Sequence, residues 1–195
     1  MKLDPGSPVL AQAVHDLGTA LWFGGSVFGV AGANKSGSDL VDPLDRVRVA
    51  SSAWRRFAPA QWAGIAATAL TGLRLTASNP GRVALQPGFR GAGATKAAVT
   101  VLGAAATGYA AYSGRKIAQA TEAAVSRGEQ VEVKDATLPT EKTPSEIATW
   151  QRRQRIAQYV VPAASGAVVV LNAYLVQSYR PAATARQLLR GLLQR

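Results

Sequence analysis

The 195-residue chain contains no cysteine, one histidine and one methionine. Disulfide bonds, thiolate nucleophiles and cysteine-based metal sites are therefore excluded within it. A single histidine also cannot supply the several His, Met or Cys ligands that a copper or haem centre needs. We therefore predict that the chain binds no metal and no cofactor.

Bulky core residues are scarce as well. Hydrophobic residues make up 48% of the chain, but aromatic residues make up only 7%, so small residues supply much of the apolar content. Small residues are typical of membrane helix interfaces, where they let backbones approach closely. Lys and Arg number 22 against 11 Asp and Glu. In a chain with long apolar runs, this excess favours anionic lipid head groups over nucleic acid as the partner.

Four uncharged stretches, each close to the ~20 residues that cross a bilayer, divide the chain. They are residues 17–34, 57–73, 97–114 and 156–179. We predict an all-α, four-transmembrane-helix bundle that forms a single domain over residues 1–195, multi-pass in the plasma membrane, the inner membrane of the cell. The expected transmembrane helices are 9–32, 59–78, 95–117 and 156–179. For the two middle stretches, the alternative is a pair of buried helices in a soluble all-α protein.

The first stretch carries the most distinctive pattern, HDLGTALWFGGSVFG from His15 onward. Its Gly25 and Gly29 form a GxxxG pair, which predicts a packing face. The succession of His15, Gly18, Trp22, Gly24 and Gly25, followed by three more apolar segments, resembles small four-helix bacterial membrane proteins of the copper-resistance-D-like type. It also resembles related four-helix families of unknown function. The resemblance implies a bacterial integral membrane protein.

The third and fourth helices are predicted to continue beyond the apolar runs. A helical pattern reaches Arg127, and Gly128 follows as a C-terminal cap. Thr143 and Glu146 then fit a capping box around Pro144 at the first helical position. We therefore expect a polar hairpin over 115–155 that projects into water and contains no β-sheet. Pro162 should kink the fourth helix.

The parts of the third and fourth helices that extend beyond the apolar runs should lie antiparallel to each other, and we call this part of the hairpin its stem. We expect Glu122 to lie near Arg152 or Arg155 in that stem, as an exposed ion pair.

Two further segments are predicted to lie on the membrane surface. Asp42 and Pro43 begin a short helix that carries Trp54 and several Arg residues, and a soluble connector is the alternative. The tail 182–195 has leucines and arginines on different sides of a helix, as in basic amphipathic helices. For the tail, the alternative is disorder.

Three ionisable residues in the apolar segments form the candidate binding site: His15, Asp16 and Arg74. Ionisable groups inside membranes are costly, which favours a function for them. Asp16 and Arg74 belong to antiparallel neighbours at similar depth, so we predict that they face each other, with His15 or Lys96 nearby. The alternative is that Arg74 extends to the head groups and Asp16 is hydrated.

No nucleophile with a base, paired carboxylates or phosphate-binding loop is present, so we predict that the protein is not an enzyme. The favoured hypothesis is a non-enzymatic integral membrane protein, an accessory or structural subunit that acts through helix packing as a homo-oligomer or with a membrane protein partner. The alternative is a small transporter or proton-coupled permease that uses His15, Asp16 and Arg74. Basic residues flank the runs on both sides, so both membrane orientations remain open.

Overall fold

The computed structural model describes residues 7–177, and helices make up most of that part of the chain. The predicted all-α class is confirmed. The elements are α1 (Pro8–Phe28), a π-helical turn (Gly29–Ala33), α2 (Asn34–Ser36), a 3-10 turn (Gly37–Asp39), α3 (Pro43–Ala77), α4 (Pro80–Leu85), α5 (Pro87–Ser126), β1 (Val133–Asp135), β2 (Leu138–Pro139) and α6 (Ser145–Gln177).

The four long helices pack side by side in the order α3, α1, α6, α5. The largest interface is between α5 and α6, and α1 packs on α3 along one side and on α6 along the other. Helices α3 and α5 contact each other much less, so the bundle is open between them. The predicted tail 182–195 lies outside the described residues, as do the last two residues of the predicted fourth segment.

Only α6, among the described helices, is long and apolar enough to span a membrane by length and composition. Only 28% of its apolar window is buried, although the core helix of a soluble protein is mostly buried. The structure therefore singles out one candidate membrane-spanning helix, and the four-segment arrangement stays a prediction.

Helix α3 differs from the prediction because it is one continuous helix of 35 residues, with Pro59 inside it. We expected a separate surface helix from Pro43 and a membrane helix from residue 59. The start is as predicted, since the Asp42 side chain accepts a hydrogen bond of 2.8 Å from the Leu44 amide. Pro59 removes one backbone hydrogen bond, but buried residues lie on both sides of it, including Ala50 and Gln61. Packing along both halves thus maintains the helix.

Helix α5 begins at Pro87, earlier than the expected start at 95, and ends as the sequence predicts. Gly128 has a φ of +75°, a conformation that glycine adopts without a steric cost. Its amide donates to the Val125 carbonyl at 2.9 Å, and the Glu129 amide donates to the Ala124 carbonyl at 3.0 Å. This pair of bonds is a Schellman motif.

The connection after α5 is not a polar tip projecting into water. Strands β1 and β2 form a small antiparallel hairpin, so the prediction of no β-sheet is wrong. Val131 and Val133 pack with Ile117, Ile147 and Val47 in one apolar cluster. The connection folds back because these side chains bury apolar surface against α3, α5 and α6. We call residues 127–144 the cap.

Two details of the predicted hairpin also need correction. The Thr143 hydroxyl accepts from the Thr140 amide at 2.8 Å and donates to the Glu132 carbonyl, so it holds the cap together instead of forming the expected capping box. Glu122 forms no ion pair with Arg152 or Arg155 within the described residues. Its side chain lies on the face of α5 that lines the opening toward α3.

Glycines set the distance between the helices. A β-carbon at Gly18 would lie 2.8 Å from the Gly64 carbonyl oxygen, so α1 and α3 touch backbone to backbone there. The GxxxG pair is also a packing face, but it receives aromatic rings: Gly25 lies against Phe57 and Gly29 against Trp54. Small residues thus give α3 both its close approach and its ring contacts with α1.

Candidate functional site

A line of polar side chains joins three helices at the end of the bundle opposite the cap. Lys96 of α5 donates from Nζ to Oδ1 of Asn172 on α6, at 2.7 Å. Asn172 donates from Nδ2 to Oδ1 of Asp16 on α1, at 2.6 Å. Gln12, one turn before Asp16, donates to the same carboxylate oxygen at 2.8 Å. The amide of Asn172 therefore bridges an ammonium and a carboxylate on its two neighbouring helices.

His15 and Asp16 point in different directions because adjacent residues of a helix are about 100° apart. The His15 side chain is 0% exposed and the Asp16 side chain is 52% exposed, and Nδ1 of His15 lies 3.6 Å from Oδ1 of Asp16. The imidazole packs toward α3, where a β-carbon at Gly72 would lie 3.7 Å from Nε2. That distance is an ordinary van der Waals contact, so the buried ring packs directly against α3 at position 72.

The buried side of the site continues inward through two threonines. The Thr19 hydroxyl donates to the His15 carbonyl at 2.8 Å and lies 3.4 Å from Nδ1 of His15. It is also 3.1 Å from the hydroxyl of Thr68 on α3. Nε2 of His15 has no hydrogen-bond partner within the described residues. The hydroxyls of Thr19 and Thr68 therefore connect α1 and α3 inside the bundle, with the imidazole of His15 beside them.

The expected pairing of Asp16 with Arg74 needs correction. None of the ion pairs between described residues joins these two side chains. Asp16 lies on the α6 side of α1, where Asn172 binds it, so the carboxylate is directed away from α3. The expectation that His15 or Lys96 lies nearby is correct for both. The structure brings His15 and Asp16 together.

Sequence reasoning missed Asn172, although a periodic signal was present. Polar residues recur every seventh position along α6, at Gln151, Gln158, Ser165 and Asn172. The first three are buried, and a seven-residue repeat places them on one face of the helix. The apolar runs were defined by the absence of charged residues. Uncharged polar residues such as Ser165 and Asn172 do not interrupt such a run, so their repeat was not noticed.

The chemistry available to the cluster is hydrogen bonding between opposite charges. An amide between an ammonium and a carboxylate satisfies a donor and an acceptor at once. No group of three or more His, Asp or Glu side chains within residues 7–177 is placed to hold a metal ion. The arrangement therefore connects α1, α5 and α6, and it gives the site one buried imidazole beside an exposed carboxylate.

Comparison of the chain with protein-family models, with curated proteins and with solved structures finds no match. The resemblance of the first helix to four-helix bacterial membrane proteins stays a prediction.

Proposed function

We propose that the chain is a non-enzymatic, multi-pass protein of the bacterial plasma membrane that acts through helix packing. The observation that supports this most is the distribution of polarity across the bundle. Large apolar side chains face outward on all four long helices, including Leu17, Leu70, Leu102 and Val170, which are 72%, 67%, 58% and 68% exposed. Soluble monomers rarely expose large contiguous apolar patches.

The interior is correspondingly polar. Thr19, Ser26, Gln61, Thr107 and Ser165 are all buried. Several of these hydroxyls donate to a carbonyl one turn earlier, as Ser165 does to Val161 at 2.8 Å. Lipid offers no hydrogen bonds, so polar groups at membrane depth belong inside the bundle. Apolar side chains outside and polar side chains inside fit a bilayer better than water.

Charged residues support the same placement because they border the apolar runs at two levels. At the end of the bundle opposite the cap, three of the runs are bordered by Asp16, Arg74 and Lys96. On the cap side, the four runs are bordered by Lys35, Arg56, Arg115 and Arg155. Each run of 17 or 18 residues between these levels spans about 26 Å at 1.5 Å per residue, close to the ~30 Å of hydrocarbon.

Aromatic rings lie on the cap side with cations over them. Tyr112 and Trp150 meet edge to face at 5.6 Å. Lys116 lies 5.7 Å from the Tyr112 ring and Arg153 lies 5.0 Å from the Trp150 ring. Aromatic belts with nearby basic residues are typical of a membrane–water boundary. Since the basic residues concentrate here, we propose that the cap lies in the cytoplasm.

Membrane fractionation tests the proposal. We expect the full chain to remain in the membrane pellet after alkaline carbonate extraction and to dissolve only in detergent. Its mass in detergent then distinguishes a homo-oligomer from a subunit that needs another protein. Quantitative release by carbonate, as a folded protein, would contradict the proposal.

The transporter hypothesis keeps one supporting observation, the buried imidazole of His15 beside Asp16. It is the second candidate because the fully buried side chain of Trp22 on α1 packs against α3, α5 and α6 and fills the centre of the bundle. Proton flux in proteoliposomes, compared between wild type and His15→Gln, separates the two functions. Flux that depends on His15 would favour the transporter.

A further inference from the structure

The gap between α3 and α5 holds a cavity of about 630 Å³. Its walls are one face of α3 over residues 44–62 and one face of α5 over residues 107–126, and side chains of α1 and α6, including Ser26 and Val161, form its floor. Binding sites for small ligands occupy about 300–1,000 Å³. Because α3 and α5 are the two outer helices in the packing order, the cavity opens sideways.

One contact fixes the register of the two walls. A β-carbon at Gly108 would lie 3.9 Å from the ring of Trp62. The helices run in opposite directions, so positions equally far from this contact share a level. Arg55 precedes Trp62 by seven residues and Arg115 follows Gly108 by seven, which is about 10 Å along each helix. Arg55 and Arg115 therefore face the cavity at the same level.

This pair of arginines lacks an opposing carboxylate. None of the ion pairs between described residues includes Arg55 or Arg115. Glu122, the one acidic residue among those that line the cavity, is another seven residues along α5, level with Arg48. Two positively charged guanidinium groups that line one cavity at one level attract an anion. Arginine pairs are well suited to phosphate because each presents a fork of N–H donors.

The cavity wall lies partly within the uncharged runs and partly outside them. Ala58, Trp62 and Ala111 line the cavity within the uncharged runs, beside the polar side chains of Gln61 and Thr107. Arg55 and Arg115 lie just outside those runs. A ligand that fits both parts has an anionic group at the boundary and an apolar group beneath it. A soluble phosphate would leave the apolar wall unused.

We propose that the cavity binds one anionic phospholipid, with its phosphate between Arg55 and Arg115 and an acyl chain along the wall toward Trp62. The inference rests on the proposed membrane location and names a ligand for the cap-side leaflet. Thr121 lines the same cavity and its buried hydroxyl has no partner within the described residues, so it adds capacity for one more hydrogen bond.

Lipid binding to the full-length protein in neutral detergent tests the proposal. Phosphatidylglycerol is titrated and the bound lipid is counted by native mass spectrometry, with phosphatidylcholine as the zwitterionic comparison. The test variant is Arg55→Gln with Arg115→Gln. The matched control is Arg56→Gln with Lys116→Gln, which removes the same charge at neighbouring positions that do not line the cavity. Size-exclusion chromatography and circular dichroism check that both variants fold.

We expect one phosphatidylglycerol to bind in preference to phosphatidylcholine. The test variant should weaken that binding by about tenfold or more, while the control stays within about twofold of wild type. Equal losses in both variants would reduce the effect to general surface charge and overturn the proposal. So would unchanged binding in the test variant, or displacement of the lipid by an equal concentration of glycerol 3-phosphate, because the acyl chain would then contribute nothing.

Failure of the lipid site can be distinguished from failure of the proposed membrane location. A protein that stays in carbonate-washed membranes but binds no phosphatidylglycerol refutes only the lipid site. A protein that leaves the membrane without detergent refutes the location first.

Discussion

The indole ring of Trp22 occupies the space that a side chain at Gly103 would need. A β-carbon at Gly103 would lie 2.8 Å from the ring and 2.9 Å from the β-carbon of Ala164. Trp22 also packs with Ile65 and Val161, so one side chain of α1 contacts α3, α5 and α6. The centre of the bundle therefore depends on a large residue on α1 and a glycine opposite it on α5.

Replacing Gly103 with alanine should destabilise the bundle. The new methyl group has no room unless Trp22 or the helix moves, and overpacking of this kind costs about 1–3 kcal/mol. Unfolding of the protein in detergent by heat or denaturant measures the loss. Gly24→Ala is the control, since a β-carbon there has no neighbour within 4 Å. Equal stabilities of the two variants would contradict the packing.

The bridge through Asn172 predicts energetic coupling to Asp16. Asn172→Ala removes the donor to Asp16 and the acceptor for Lys96, so a double-mutant cycle with Asp16→Ala should give a coupling of about 0.5–1.5 kcal/mol. A second cycle, which combines Asp16→Ala with Arg74→Gln, should give a coupling below about 0.5 kcal/mol. The reverse order would restore the pair of Asp16 and Arg74 that the sequence predicts.

Arg46 should hold the cap in place. Its Nε donates to the Leu40 carbonyl and its NH1 donates to the Val133 carbonyl, at 2.8 and 2.9 Å. Arg46→Gln should loosen the cap by about 1–3 kcal/mol, because hydrogen bonds from charged donors are the stronger ones. Faster amide exchange over residues 129–142 is the readout. Arg48→Gln, whose partner Asp45 is exposed, should leave that exchange unchanged.

Acid should lower the local stability at the end of α5 only slightly. The hydrogen bond from Arg127 and its positive charge hold the pKa of Glu129 below its usual value. A carboxyl with a lowered folded pKa adds stability above its unfolded pKa, and that stability is lost as the pH falls through the folded pKa. Both side chains are solvent-exposed, so the effect is local and small. A carboxyl NMR titration should show the Glu129 pKa rising in Arg127→Gln, and an unchanged value would contradict the contact.

The sequence predicts local features of this fold better than its tertiary contacts. The helix N-cap at Asp42 and the glycine stop at Gly128 were predictable because each depends on neighbouring residues. The continuity of α3 through Pro59 was not, since packing on both sides of the proline overrides its local cost. The folded-back conformation of residues 127–144 was not predicted, because Val131 and Val133 are isolated in a polar segment. The residues that they pack against are on α3, α5 and α6.

The candidate site follows the same division. His15 and Asp16 were identifiable as rare ionisable residues at the head of an apolar segment. Asn172 was not, because its role depends on which helices flank α6, and packing order is not a local property. The prediction for Arg74 assumed that α3 is the neighbour facing Asp16, whereas the carboxylate lies on the α6 side of α1.

The measurement that tests the account most directly is cysteine labelling in native membranes, which the absence of natural cysteine permits. Single variants Leu102→Cys and Val170→Cys place thiols on outward faces of α5 and α6, and Glu141→Cys places one in the exposed part of the cap. We expect a membrane-impermeant maleimide to leave Leu102→Cys and Val170→Cys unlabelled until detergent is added. It should label Glu141→Cys rapidly in inside-out vesicles and poorly in intact cells. Rapid labelling of Leu102→Cys and Val170→Cys without detergent would place these faces in water and contradict the membrane-spanning bundle.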